Sequence, residues 1–115
     1  MSLEVQSWDA YQNDDKVLEL TATTNGSIAG DTYQFDLVNG SDELKVRKTS
    51  GAGITIADAG SSTTPGVVEV DLTDDLELDA GAYTWQFRRT NAGREDTLAA
   101  GDLSLGVSYR DLEVV

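Results

Sequence analysis

Gly81-Ala82-Tyr83-Thr84-Trp85-Gln86-Phe87-Arg88-Arg89-Thr90-Asn91-Ala92-Gly93 is the stretch that decides the fold. Aromatic residues take every second position, Tyr83, Trp85 and Phe87, with small or polar residues between them. A period of two belongs to a strand that buries one face. Asn91-Ala92-Gly93 then turns the chain into a second alternating run. The pair reads as the core of a β-sandwich. No catalytic group lies in it.

Outward from this run the pattern repeats. Downstream, Glu95 to Ala99 continues from the turn, and Gly101 to Val107 closes the sandwich with Leu103, Leu105 and Val107 inward. Upstream, Val17 to Thr23 is a strand with Leu18 and Leu20 on one face. Thr32 to Val38 turns Tyr33, Phe35 and Leu37 inward. Asn39-Gly40-Ser41 signals a tight turn. Glu43 to Thr49 is expected to point Leu44 and Val46 inward and Lys45 and Arg47 outward. Ile54-Thr55-Ile56 and Gly66 to Leu72 follow, separated by a Gly/Ser/Thr loop. Thr73 to Asp79 has a threonine N-cap followed by acids and reads as one helical turn.

The expected architecture is an all-β, Ig-like antiparallel β-sandwich of seven to eight short strands with an N-terminal arm. Residues 1–16 form the arm, 17–107 the sandwich and 108–115 a C-terminal tail. The arm is polar, with Trp8 and Tyr11 set among Asp and Asn residues. Tyr and Trp combine area with a polar handle, so both are candidate anchors on a neighbouring protein, and a frayed terminus is the competing reading.

The 115 residues are enough for one domain with its own core. The chain has no cysteine and no histidine. A Ser-His or Cys-His nucleophile is therefore impossible, and so is a thiolate or imidazole metal site. Eight basic and 21 acidic residues give a net charge of −13. A field of that sign repels nucleic-acid phosphates and anionic membrane surfaces. No apolar run approaches the roughly 20 residues of a spanning helix. The N-terminus lacks the basic and apolar regions of a signal peptide, so synthesis in the cytoplasm is expected.

Two clusters invite a chemical reading. Asp71 to Asp79 holds five acids, but its spacing is not that of an EF-hand loop. A solvated connection accounts for it. With 21 acids in 115 residues some carboxylate pair stands at any chosen distance, so pairing gives no sign of glycoside hydrolysis. No enzyme, cofactor or metal is expected. The cations are more selective: Lys45, Arg47, Lys48, Arg88 and Arg89 lie in two strands. Lys45, Arg47, Arg88 and Arg89 are the candidate docking patch for an acidic partner, an acidic loop of a second copy included. Cross-strand pairing with local carboxylates is the competing reading.

The order of elements also carries a resemblance. It runs from Gly30-Asp31-Thr32-Tyr33-Gln34-Phe35 through Gly51-Ala52-Gly53-Ile54-Thr55-Ile56 and Gly66-Val67-Val68-Glu69-Val70-Asp71-Leu72-Thr73. It ends with Leu78-Asp79-Ala80-Gly81-Ala82-Tyr83 entering the aromatic strand and Gly101-Asp102-Leu103-Ser104-Leu105 closing it. Over residues 30–107 this resembles the small Ig-like β-sandwich virion proteins of tailed bacteriophages, such as the N-terminal domain of siphophage upper-baseplate proteins. The resemblance implies a non-enzymatic structural protein on the outer capsid surface of the virion. Its expected role is capsid decoration: a cement protein that bridges capsomers, binds the major capsid protein and forms a homo-oligomer such as a trimer. A baseplate, neck or tail accessory protein is one alternative. A carbohydrate-binding module using Trp8, Tyr11 and Tyr109 is another.

Overall fold

The aromatic run folds as a strand, Gly81–Arg89, with Tyr83, Trp85 and Phe87 buried and Ala82, Thr84 and Gln86 exposed. The computed structural model describes residues 3–4, 10–91 and 95–108. In chain order its strands are β1 (Leu3–Glu4), β2 (Ala10–Tyr11), β3 (Val17–Asn25), β4 (Tyr33–Asn39) and β5 (Leu44–Ser50). They continue as β6 (Gly53–Asp58), β7 (Pro65–Asp71), β8 (Gly81–Arg89) and β9 (Asp96–Gly106). The ladder order is β1-β3-β7-β6-β5-β4-β8-β9-β2. It is an Ig-like β-sandwich: β1-β3-β7-β6 matches the A-B-E-D sheet, and β5-β4-β8-β9 the C′-C-F-G sheet. The two halves join where β5 meets β6 through Thr49–Gly53 and Ser50–Ile54, a short parallel contact.

The core follows from alternation. β4 contributes Tyr33, Phe35 and Leu37, and β8 sets Phe87 opposite Phe35 and Trp85 opposite Leu37. Tyr33 stacks on Phe87 with centroids 5.1 Å apart, and Phe35 on Trp85 at 6.1 Å. Leu18 and Leu20 of β3 and Val68 and Val70 of β7 supply the other layer. Tyr83 opens β8 and its hydroxyl donates to the backbone carbonyl of Asp79. This is a tyrosine corner, which ties the strand entry to the preceding connection. In antibody domains a disulfide cysteine stands two residues after that tyrosine. Here the place belongs to Trp85, so packing area replaces a covalent bridge. Its indole packs tightly on Gly101, where a Cβ would lie 3.0 Å from the ring.

Several expectations need correction. Where described, the segment expected as an arm is part of the sheet. Leu3 and Glu4 pair with Ala22 and Thr21, and Ala10 and Tyr11 run parallel to Leu105 and Gly106. Ala10 belongs to the core, and Gln12 N–H donates to Gly106 C=O at 2.8 Å. Small Ala10 and Gly106 allow the close approach that polar composition concealed. Thr73 to Asp79 is a turn segment, not a helical turn. Thr73 N–H donates to Asp71 Oδ1 at 2.9 Å, and Asp74 sits at φ 65°, which a right-handed turn excludes. Leu72 and Leu76 anchor the segment in the core. Val107, expected inward, is exposed beyond the end of β9. Trp8, Tyr109, the Ala92-Gly93 part of the hairpin turn and tail residues 109–115 lie outside the described residues.

Candidate interaction surface

The outward side of β5-β4-β8-β9 begins with a one-residue irregularity. Leu37 pairs with Val46, but the next pair is Val38 with Leu44, so Lys45 is an extra residue on β5. A bulge of this kind shifts the alternation by one. Leu44, expected in the core, therefore shares the outer face with Val38 and is 46% exposed. Leu44, Val38, Thr84, Gln86, Asp36 and Arg47 line a shallow hollow of about 270 Å³.

The proposed basic patch divides. Arg47 is on this face and forms a two-point pair with Asp36, Nε to Oδ1 at 2.7 Å and Nη2 to Oδ2 at 3.2 Å. That hydrogen bond and the carboxylate's charge hold the Arg47 guanidinium above its ordinary value. Arg88 is also outward, opposite Gln34, with Nη2 3.4 Å from Glu95 Oε2. Lys45 is exposed at the bulge beside Asn39, Glu43 and Glu77, around a second hollow. Arg89 does not belong to the patch. It is 6% exposed, its guanidinium bonds Asp96, and Nη1 lies 3.9 Å from Asp31 Oδ2. Arg88 and Arg89 are consecutive, so alternation alone sends them to opposite sides of the sheet. The Asp96 hydrogen bond, then the Asp96 and Asp31 charges, raise the Arg89 guanidinium against the cost of burial.

Arg89 completes a polar knot at this end of the sheet. Tyr33 Oη donates to Asp31 Oδ2 at 3.0 Å, and Asn91 Nδ2 to Asp31 Oδ1 at 3.0 Å. Asn91 Oδ1 accepts from Thr32 N–H at 2.7 Å. The loops before β4 and after β8 are thereby locked. Lys48 points inward from β5 to Asp75, Nζ to Oδ2 at 2.7 Å.

Tyr11, the remaining described anchor candidate, is 59% exposed but does not project as an arm. Its ring lies over Gly106, where a Cβ would come within 2.7 Å. The opposite outer face, on β3 and β7, carries no cation in either strand. Glu19 and Glu69 stand directly across from each other there. Among the described residues no group of three or more His, Cys, Asp or Glu side chains is placed to hold a metal ion. What sequence reasoning missed is Leu44. Leu44 and Val46 stand two apart and read as plain alternation, so only the paired register shows the extra residue.

No protein-family model matches the chain. No curated protein matches it either. Among solved structures the fold is similar to the crystal structure of CopC from Methylosinus trichosporium OB3b, with a TM-score of 0.55 and 16% identity over 92% of this chain and 93% of that one. At that identity the likeness is one of fold. It corrects the functional expectation of a capsid decoration protein and its alternatives, a baseplate, neck or tail protein and a carbohydrate-binding module. The sandwich is similar to that of CopC, and the match carries nothing of a virion or a sugar site. The geometry agrees. The described N-terminal strands pair within their own sheet, and among the described aromatics Tyr33, Phe35, Tyr83, Trp85 and Phe87 are buried while Tyr11 alone is exposed.

Proposed function

We propose that this chain is a non-catalytic protein-binding domain that associates with further copies of itself through the outer face of β5-β4-β8-β9. The observation that carries the reading is Leu44, turned outward by the Lys45 bulge beside Val38 and flanked by the preset Arg47–Asp36 pair. An exposed leucine inside a polar frame is the pattern of an interface centre with a hydrogen-bonding rim. The pair adds register, since a two-point guanidinium–carboxylate contact is directional.

Magnitudes limit the strength. Neighbouring strands lie about 4.8 Å apart and residues rise about 3.4 Å, so the face measures roughly 15 by 20 Å. That is well below the area per partner of a stable complex, about 800 Å². A single contact is therefore transient, and lasting attachment requires several copies acting together. The net charge of −13 opposes close approach, so association strengthens as salt screens it. Sedimentation velocity over a concentration series tests the reading. The wild type is expected to associate and Leu44→Asp to stay monomeric with an unchanged fold. Equal behaviour of the two chains rejects it.

A further inference from the structure

The chain holds two Asn-Gly pairs, Asn25-Gly26 and Asn39-Gly40, each at the end of a strand. Such pairs can rearrange because glycine leaves its backbone nitrogen unhindered. The two sites differ sharply in how the asparagine is held.

Asn39 is fixed on both sides of its carboxamide. Its Oδ1 accepts from Ser41 N–H and Glu43 N–H, both at 2.9 Å, and its Nδ2 donates to Glu43 Oε1 at 3.1 Å. The main chain closes the same turn, with Asn39 N–H on Glu43 C=O at 3.0 Å and Asp42 N–H on Asn39 C=O at 3.1 Å. Cγ cannot swing toward the Gly40 nitrogen without breaking these bonds.

Asn25 has no such tether. Its side chain is exposed and makes no hydrogen bond among the described residues. The ladder is weak at this point. The β3–β7 register breaks between Thr21 and Asn25, and the residue opposite Asn25 is Pro65, which has no N–H to donate. Gly26 N–H reaches Thr64 C=O at 3.4 Å, long for a hydrogen bond. A Cβ at Gly26 would meet nothing within 4 Å.

We propose that Asn25-Gly26 is a self-modification site, where the folded chain converts Asn25 to aspartate and isoaspartate while Asn39 is preserved. The Gly26 nitrogen, losing its proton to hydroxide, attacks Asn25 Cγ. The new N–Cγ bond closes a five-membered imide, the Cγ–Nδ2 bond breaks, and Nδ2 leaves as ammonia. Water then opens the imide at either carbonyl. The isoaspartate product adds a methylene to the main chain and a carboxylate to the surface. Both fall at the root of the loop that Ile28 holds through its N–H to Ala59 C=O at 2.7 Å.

The test is peptide mapping by mass spectrometry of the folded protein held at mildly alkaline pH, beside a sample held in denaturant. In denaturant both pairs should convert at similar rates. In the folded protein, Asn25 should convert faster than Asn39 by roughly tenfold or more, since three side-chain hydrogen bonds hold the Asn39 carboxamide. Asn25→Gln should remove most of the folded protein's amide loss. Equal or reversed folded-state rates, or unchanged amide loss in Asn25→Gln, overturn the proposal.

Discussion

The two ends of the β5-β4-β8-β9 sheet use the same residue types for different tasks. At the start of β4 and the end of β8, Arg89 is enclosed with Asp31, Asp96, Asn91 and Tyr33, and the cation holds loops together. Toward the β4–β5 turn, Leu44 lies open beside Arg47, whose pair with Asp36 faces solvent. A polar cluster under cover becomes part of the fold, because its groups must be satisfied internally. The same groups at the surface contribute little to stability and stay free to serve recognition. Stability and association should therefore be separable by mutation.

The largest effect should come from the closed end. Arg89→Ala leaves Asp31 and Asp96 without their cation and should lower stability by about 2 kcal/mol, read by urea unfolding. A loss no greater than that of an exposed arginine would show that the two ends do not differ.

The tyrosine corner ranks next. Tyr83→Phe removes one hydrogen bond to Asp79 C=O and should cost about 1 kcal/mol. Thermal melts of the two chains would measure it.

Tyr33 sharpens the contrast through pH. Burial first, then the hydrogen bond to Asp31, raises its phenol well above the ordinary value. The folded protein keeps this proton where the unfolded chain releases it, above about pH 10. The contribution is therefore complete below that pH and is lost as pH rises. Melting temperatures taken at increasing alkaline pH should fall more steeply for the wild type than for Tyr33→Phe. Parallel curves would remove Tyr33 from the closed end.

The smallest effects belong to the surface. Glu19→Lys replaces a like-charge pair across β3 and β7 with an opposite one and should stabilise by about 0.5 kcal/mol. Arg47→Ala should leave the melting temperature unchanged while weakening association. A marked loss of stability would mean that the open face is structural after all.

The fold was legible where alternation is uninterrupted. Tyr83, Trp85 and Phe87, and Tyr33, Phe35 and Leu37, all point as a period of two requires. Legibility failed where a single residue breaks the period. Lys45 on β5 turns Leu44 outward, and no composition signal marks a bulge. The N-terminal strands escaped notice because two-residue elements are too short to alternate. The candidate patch was half legible. Outward Arg47 and Arg88 and inward Arg89 follow from alternation, but Asp31, which faces Arg89, is distant in sequence and near only in the fold. The virion role expected from the order of elements rested on sandwich motifs that recur for packing reasons, and packing does not specify a partner.

The most direct test of the docking face is a concentration series of amide NMR spectra on the wild type. Concentration-dependent shifts confined to Val38, Leu44, Arg47, Thr84 and Gln86 are predicted. Shifts centred instead on Glu19 and Glu69, or on the Tyr11 edge, would contradict the account.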